Sequence, residues 1–159
     1  MPNDRPTIDY RNATVQDIPE LVRLRINFLR EFAIFEGDET EMITALELYL
    51  SEHLQLRDYI NPVALHDGKI VATGGVHFYS LLPNFFNFTG AGAYIQNIYT
   101  LAPYRRRGIA KEIFKLLMQE VAAKGAIQVS LHASEAGRGL YEQFGFKKRE
   151  GGLVLGLHV

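Results

Sequence analysis

Arg105, Arg106, Arg107 and Gly108 stand at the head of an amphipathic stretch, in the run Leu101-Ala-Pro-Tyr-Arg-Arg-Arg-Gly-Ile-Ala110. Guanidinium groups stay charged at any physiological pH. The first turn of a helix carries backbone N–H groups with no partner inside the helix, at the positive end of its dipole. Glycine removes the side chain where an anion has to approach the backbone closely. A strand, an Arg-rich turn with glycine and then a helix therefore frame a pyrophosphate, and the chain reads as one that holds a phosphorylated cofactor.

A second group of residues lies downstream, Ser134-Glu-Ala-Gly-Arg-Gly-Leu-Tyr141-Glu-Gln-Phe-Gly145-Phe146. Tyr141 is its candidate chemical residue: an ordinary phenol titrates at about 10, so it keeps a proton to donate near neutral pH. Its alternative is a core aromatic on the face of Leu140, Phe144 and Phe146. Ser134 can cap the helix that follows and still donate one hydrogen bond.

The two groups together carry a family resemblance. Arg105-x-x-Gly108-x-Ala110 is similar to the Gln/Arg-x-x-Gly-x-Gly/Ala signature of the GCN5-related N-acetyltransferases (GNAT), which bind acetyl-CoA. Leu101-x-Pro103 resembles that family's hydrophobic-x-Pro ending of its fourth strand. The run from Ser134 to Phe146 resembles its Asn/Ser-led helix ending in Tyr-Glu-x-x-Gly-Phe. The motif-bearing part extends from about Ala93 to Arg149, and the elements before it also fit the family.

The resemblance implies acetyl-CoA as co-substrate with no metal, and transfer to a primary amine by direct attack on the thioester. It places the pantetheine arm against the backbone of Tyr99, Thr100 and Leu101, like an added strand. It places the pyrophosphate on Gly108, Ile109, Ala110 and Lys111, with Arg105, Arg106 or Arg107 on the ribose 3′-phosphate. Ser134 falls where the family has Asn against the pantetheine arm, and Tyr141 falls where it has the proton donor to the departing thiolate. Some members use a Glu as general base upstream of the Asn/Ser position; this chain has Val129 there. Substitutes are Glu31, Glu36, His77, or a water held by Gln96 or Asn97. Glu31, Glu36, Asp38, Glu39 and Glu41 form either an acidic rim that attracts a cationic amine or, more simply, a solvated acidic loop. A non-catalytic acyl-CoA-binding or regulatory module of the same fold is the alternative reading, and a nucleotide-binding domain of another kind a further one.

Composition bounds the rest. The chain has 159 residues, 47% of them hydrophobic, a net charge of −1 and no cysteine. This is one ordinary domain, 1–159, without disulfides or a cysteine nucleophile. No basic excess points to nucleic acid, no apolar run is long enough for a membrane, and the N-terminal residues have no leader-like apolar stretch, so the expected address is cytoplasmic. The histidines show no His-x-x-x-His spacing, so no metal is expected. The resemblance implies a small-molecule or peptide amine as the acceptor. The apolar tail from Leu153 to Val159 fits either a homodimer contact or an internal edge strand.

Periodicity supplies the elements that position these groups. A strand is expected over Ile8 to Arg11, a capping box at Thr14 to Asp17, and a helix through Ile18, Leu21, Val22, Arg25, Phe28, Leu29 and Phe32. A second helix is expected from about Glu39 to Leu56. Pro62 to His66 and Lys69 to Tyr79 flank the turn pair Asp67-Gly68 and predict a hairpin. Pro83 to Gly92 predicts a loop, Ala93 to Leu101 a strand, and Ile109 to Val121 a helix ended by Gly125. A strand over Ile127 to His132, a helix over Ser134 to Phe144, and closing strands over Lys147 to Glu150 and Leu153 to Leu157 complete the chain. The order indicates a mixed α/β sheet. The resemblance makes it GNAT-like: mostly antiparallel, splayed at strands 4/5, and flanked by about four helices.

Overall fold

A computed structural model describes residues 6–32 and 37–157. Glu36, one of the acidic candidates, lies outside the described residues. The chain forms β1 (Asp9–Asn12), α1 (Ile18–Phe32), α2 (Glu39–Leu56), β2 (Tyr59–Ile60), β3 (Pro62–His66), β4 (Lys69–Ser80), β5 (Ala91–Thr100), α3 (Ile109–Lys124), β6 (Gln128–Leu131) and α4 (Glu135–Gln143). The strands join in one sheet of order β1-β3-β4-β5-β6, with β2 also paired to β4. All pairs are antiparallel except β5 and β6. No described helix is long and apolar enough to cross a membrane.

Local chemistry starts and stops these elements. Thr14 and Asp17 close a capping box around a single 3-10 turn that leads into α1. Asp38 caps α2 by accepting from the Thr40 N–H at 2.7 Å, and Ser134 caps α4 by accepting from the Gly137 N–H at 3.2 Å. Asp67 and Gly68, with φ of 50° and 74°, make the tight turn between β3 and β4. β2 and β3 are two halves of one strand, parted at Asn61, with Pro62 opening β3. Proline has no N–H to give the ladder. The buried Asn61 amide donates instead to Thr73 Oγ1 at 2.6 Å and to the Gly74 carbonyl at 2.8 Å.

The sheet carries a core on each face, because both of its faces are apolar. Ile109, Ile113, Phe114, Leu117 and Val121 of α3 pack on Ala72, Val76, Ala93 and Ile95. Leu21, Val22 and Leu24 of α1, with Leu50 of α2, pack on Val63, Leu65, Ile70 and Tyr99.

Three features depart from the sequence pattern. β5 begins at Ala91, two residues before the expected start, and the two-residue β2 precedes the expected hairpin. Within β5 the alternation slips. Ala93, Ile95 and then Ile98 face the α3 core, whereas Tyr94, Gln96 and Asn97 face the other side and Tyr99 packs with α1. This is a β-bulge, with Asn97 at φ 59° and a register shift between Thr73 and Gly75 opposite.

The third departure is at the C-terminal end. The closing strands expected over Lys147 to Glu150 and Leu153 to Leu157 are absent: residues 146–157 have no regular structure. Leu153, Val154, Leu155 and Leu157 stand 99%, 94%, 82% and 80% exposed. Their alternation is that of a strand, but a strand also requires an edge to pair with. The sheet ends on a four-residue β6, and the tail pairs with no strand of the described chain.

Candidate active site

β5 and β6 run together only from Gly92 opposite Gln128 to Ile95 opposite Leu131. Beyond that point β6 stops, while β5 continues to Thr100 with β4 on one side and no strand on the other. The bulge at Asn97 lies just inside this open edge and turns the backbone there out of the regular ladder. The sheet is thus splayed between the fourth and fifth of the strands expected from the sequence.

The turn before α3 lies at the end of this edge. Arg106 and Gly108 both adopt left-handed backbone angles, φ 61° and 80°. Gly108 is the N-cap of α3 and offers no side-chain bond to the helix. Among the described residues, no protein acceptor takes the backbone N–H of any residue from Arg106 to Lys111; the first helical bond is from Glu112 to the Gly108 carbonyl. An ideal Cβ at Gly108 would meet nothing within 4 Å, so the space beside this residue is open. Free amides converging at a helix N-terminus favour an anion. A pyrophosphate fits the donor set.

The three arginines have separate roles. Arg105 is tied inward: its Nε donates to the Thr100 carbonyl at 2.8 Å, and its guanidinium pairs with Glu31 at 2.6 Å. Tyr99, buried against α1, donates its hydroxyl to the same carboxylate at 2.9 Å. The Arg105 hydrogen bond, with help from Tyr99, holds the Glu31 carboxyl below its ordinary range. Burial, then the Glu31 contact, pushes the Tyr99 phenol up. Glu31 is therefore spent as the anchor of the cradle's first arginine. Arg106 and Arg107 are exposed, with Arg107 over the Tyr104 ring. The Leu101 N–H is also spent, on the Val71 carbonyl at 2.9 Å. The Thr100 Oγ1 is buried without a partner.

α4 leaves the end of β6, and Tyr141 sits on it half-buried. Its ring packs 5.4 Å from Phe114 of α3 and 6.3 Å from Phe146. Its hydroxyl bonds to no described protein group. Burial raises its pKa above the ordinary value of 10.0, so the phenol keeps its proton. Ser134 is exposed and already accepts from Gly137. Tyr141 also lines a cleft of about 400 Å³ with Val129, Leu131 and Lys147 to Arg149.

On the opposite face, between α1, α2 and the sheet, lies a cavity of about 430 Å³. Its walls are Leu21, Leu46 and Leu50, with Tyr49, Tyr59 and Tyr94 and the polar set Arg25, Asn61, His77, Gln96 and Asn97. α3, which the turn opens, and this cavity lie on different faces of the sheet, and Gln96 and Asn97 of β5 line the cavity. His77 Nδ1 is 3.1 Å from the Tyr49 hydroxyl, and His53 Nδ1 is 2.9 Å from Asp58 Oδ1. Burial raises the Tyr49 and Tyr59 phenols. His53, Asp58 and His77 each place one potential ligand atom within 4.8 Å of the others. The spacing of histidines in the chain gave no sign of that cluster, because α2 and β4 come from distant segments.

Of the acidic candidates, Glu31 holds Arg105, Asp38 caps α2, and Glu39 pairs with Arg30.

The Acetyltransferase (GNAT) family profile matches residues 25–146, a span that contains the bulge, the cradle and Tyr141. The chain belongs to the GNAT family. The same fold recurs in a predicted acetyltransferase of Clostridium acetobutylicum crystallised with acetyl-CoA, at 29% identity and a TM-score of 0.88. That similarity covers 94% of this chain and 96% of the other. A GCN5-related N-acetyltransferase from Ralstonia eutropha JMP134 is 23% identical, covering 94% and 99% of the two chains with a TM-score of 0.83. A ribosomal-protein-alanine N-acetyltransferase from Brucella melitensis biovar Abortus is 22% identical over 95% and 99%, at 0.73. No curated protein sequence matches the chain. As a GNAT chain it is an acetyltransferase by family, and its splayed sheet is the family's architecture.

Sequence reasoning missed Arg25 and Tyr49. Arg25 had a signal: it is the one charged residue in the series of apolar positions along α1. Tyr49 had none, since an aromatic on an amphipathic helix reads as core.

Proposed function

We propose that this GNAT chain is an acetyl-CoA-dependent N-acetyltransferase that transfers the acetyl group to the primary amine of a small molecule or peptide. The observation that carries this is the unbroken run of free amides from Arg106 to Lys111, set at the end of an open sheet edge. The amides of Gly108 to Lys111 receive the pyrophosphate, and Arg106 or Arg107 takes the ribose 3′-phosphate while Arg105 braces the turn. The pantetheine arm pairs with the open edge of β5 by main-chain hydrogen bonds. The thioester then lies at the bulge, between the cavity and Tyr141.

The amine attacks the thioester carbon from the cavity side. A C–N bond forms, the C–S bond breaks, and the thiolate takes the phenolic proton of Tyr141. The proton lost by the amine passes to His77, directly or through a water. Glu31 is excluded from that role by its contacts with Arg105 and Tyr99, and Val129 has no basic group. Positioning both partners at one point removes the need for an acyl-enzyme.

Thiol release with a panel of primary amines tests the proposal, with Tyr141→Phe as its probe. Losing a general acid lowers kcat by about 100-fold or more, while CoA affinity measured by calorimetry stays unchanged. Equal rates for Tyr141→Phe and the parent remove Tyr141 from the mechanism. Tight CoA binding with no release for any amine overturns the transferase reading in favour of a non-catalytic acyl-CoA-binding module.

A further inference from the structure

The cavity is lined by a cation with no counter-ion among the described residues. Arg25 lies on the sheet-facing side of α1 and lines the cavity wall. A guanidinium offers five N–H donors, yet its one hydrogen-bond contact among the described residues is from Nη1 to Asn97 Oδ1, at a long 3.5 Å. One face stacks on Phe28, 5.0 Å from the ring centroid. No described carboxylate forms an ion pair with it, in contrast to Arg11, Arg30 and Arg105, each of which has one. The groups facing it are the phenols of Tyr59 and Tyr94. Burial draws its pKa down, but a guanidinium remains charged at neutral pH.

A half-buried, unpaired charge is unfavourable unless something completes it. Its single hydrogen-bond contact among the described residues is Asn97, the residue at the bulge where the proposed transfer takes place. An anion held by Arg25 therefore lies beside the reacting amine rather than remote from it. One monovalent cation balances a carboxylate; a phosphate monoester carries nearly two charges and draws on more than one. Apart from the polar Asn61, His77, Gln96 and Asn97, the remaining wall is leucine and tyrosine, and about 430 Å³ admits a small molecule but not a folded protein terminus.

We infer that the acceptor is a free α-amino acid with an apolar or aromatic side chain, its carboxylate bound by Arg25 and its amine presented at the Asn97 bulge. This rests on the acetyl-transfer reading for what happens to the amine, but the carboxylate site stands on its own geometry. It also explains why the acidic residues near α1 are engaged elsewhere: the cavity is polarised to receive an anionic group, not a polyamine.

Matched pairs of probes test it without knowledge of the natural acceptor. L-leucine and L-phenylalanine are titrated calorimetrically into CoA-saturated protein against L-leucinamide, L-phenylalaninamide, spermidine and glucosamine 6-phosphate. Thiol release from acetyl-CoA is followed in parallel. The carboxylates should bind at least about 10-fold more tightly than the amides, the range of a hydrogen bond to a charged group. Arg25→Met should erase that preference while leaving amide affinity and CoA affinity unchanged, and Arg25→Lys should restore part of it. Amides, spermidine or the sugar phosphate binding as tightly as the amino acids in the parent protein overturns the inference. So does an Arg25→Met variant that weakens acid and amide equally. Carboxylate preference with no thiol release upholds the carboxylate site and refutes the transfer reading instead.

Discussion

Gly108 allows the cradle to be tested by separating strain from obstruction. Its φ of 80° is left-handed, and a built Cβ meets nothing within 4 Å. Gly108→Ala therefore collides with no protein atom, and its effect on folding is conformational only. An L-residue in the left-handed region costs about 1–2 kcal/mol, which lowers Tm by roughly 2–4 °C per kcal/mol in a chain of this size. Gly108→Asn is milder, because asparagine tolerates that region, and Gly108→Val is harsher, because a branched Cβ does not. Thermal stability should thus fall in the order Gly, Asn, Ala, Val. CoA binding should follow a different order. Any side chain at this position projects into that open space, where the proposed pyrophosphate lies, so all three variants lose about 10-fold or more in affinity, the effect of displacing charge-assisted hydrogen bonds. Melting curves and calorimetric titration with CoA, run on the same preparations, read the two orders separately. A folded Gly108→Ala protein that binds CoA as tightly as the parent refutes the placement of the pyrophosphate on this turn.

Two further outcomes follow from the same geometry. His77→Gln keeps the ring's size class and a donor to Tyr49 but removes the base. It should lower kcat while CoA affinity stays unchanged, and an unaltered kcat assigns the base elsewhere. Glu31→Gln releases Arg105 from the carboxylate that holds it. Because the folded-state pKa of Glu31 is depressed below its ordinary 4.5, its charge stabilises the fold above that value and the contribution vanishes as pH falls through the folded pKa. Melting temperatures taken from pH 6 down to pH 3 should therefore decline less steeply in Glu31→Gln than in the parent. Parallel curves for the two proteins would show that the Arg105 contact carries no linkage.

How much of this was legible in the chain depended on whether a signal was local. The capping box at Thr14, the Asp67-Gly68 turn, the Gly125 stop and the helix pattern from Ile109 to Val121 are written in adjacent residues, and each stands where the pattern placed it. The left-handed glycine turn that opens α3 was legible for the same reason. The bulge at Asn97 was not, because one inserted residue leaves two normal alternating runs on either side. The cavity groups come from α1, α2, β4 and β5, and only the packed sheet brings Arg25, Tyr49 and His77 together. The tail failed in the opposite way: Leu153, Leu155 and Leu157 alternate as a strand should, yet no neighbouring edge is offered to them. Pattern specifies what a segment prefers; it does not specify whether a partner is present.

The interrupted pairing beyond Ile95 and Leu131 makes this protein's folding equilibrium answer to its chemical surroundings. A gap in mid-sheet is a template for any extended backbone, including another polypeptide's. A molecule that occupies the gap only in the native state adds RT ln(1 + [L]/Kd), about 2.7 kcal/mol at a hundredfold excess over Kd. Under the proposed placement of the pantetheine arm, withdrawing the cofactor removes that increment and leaves the open edge of β5 bare.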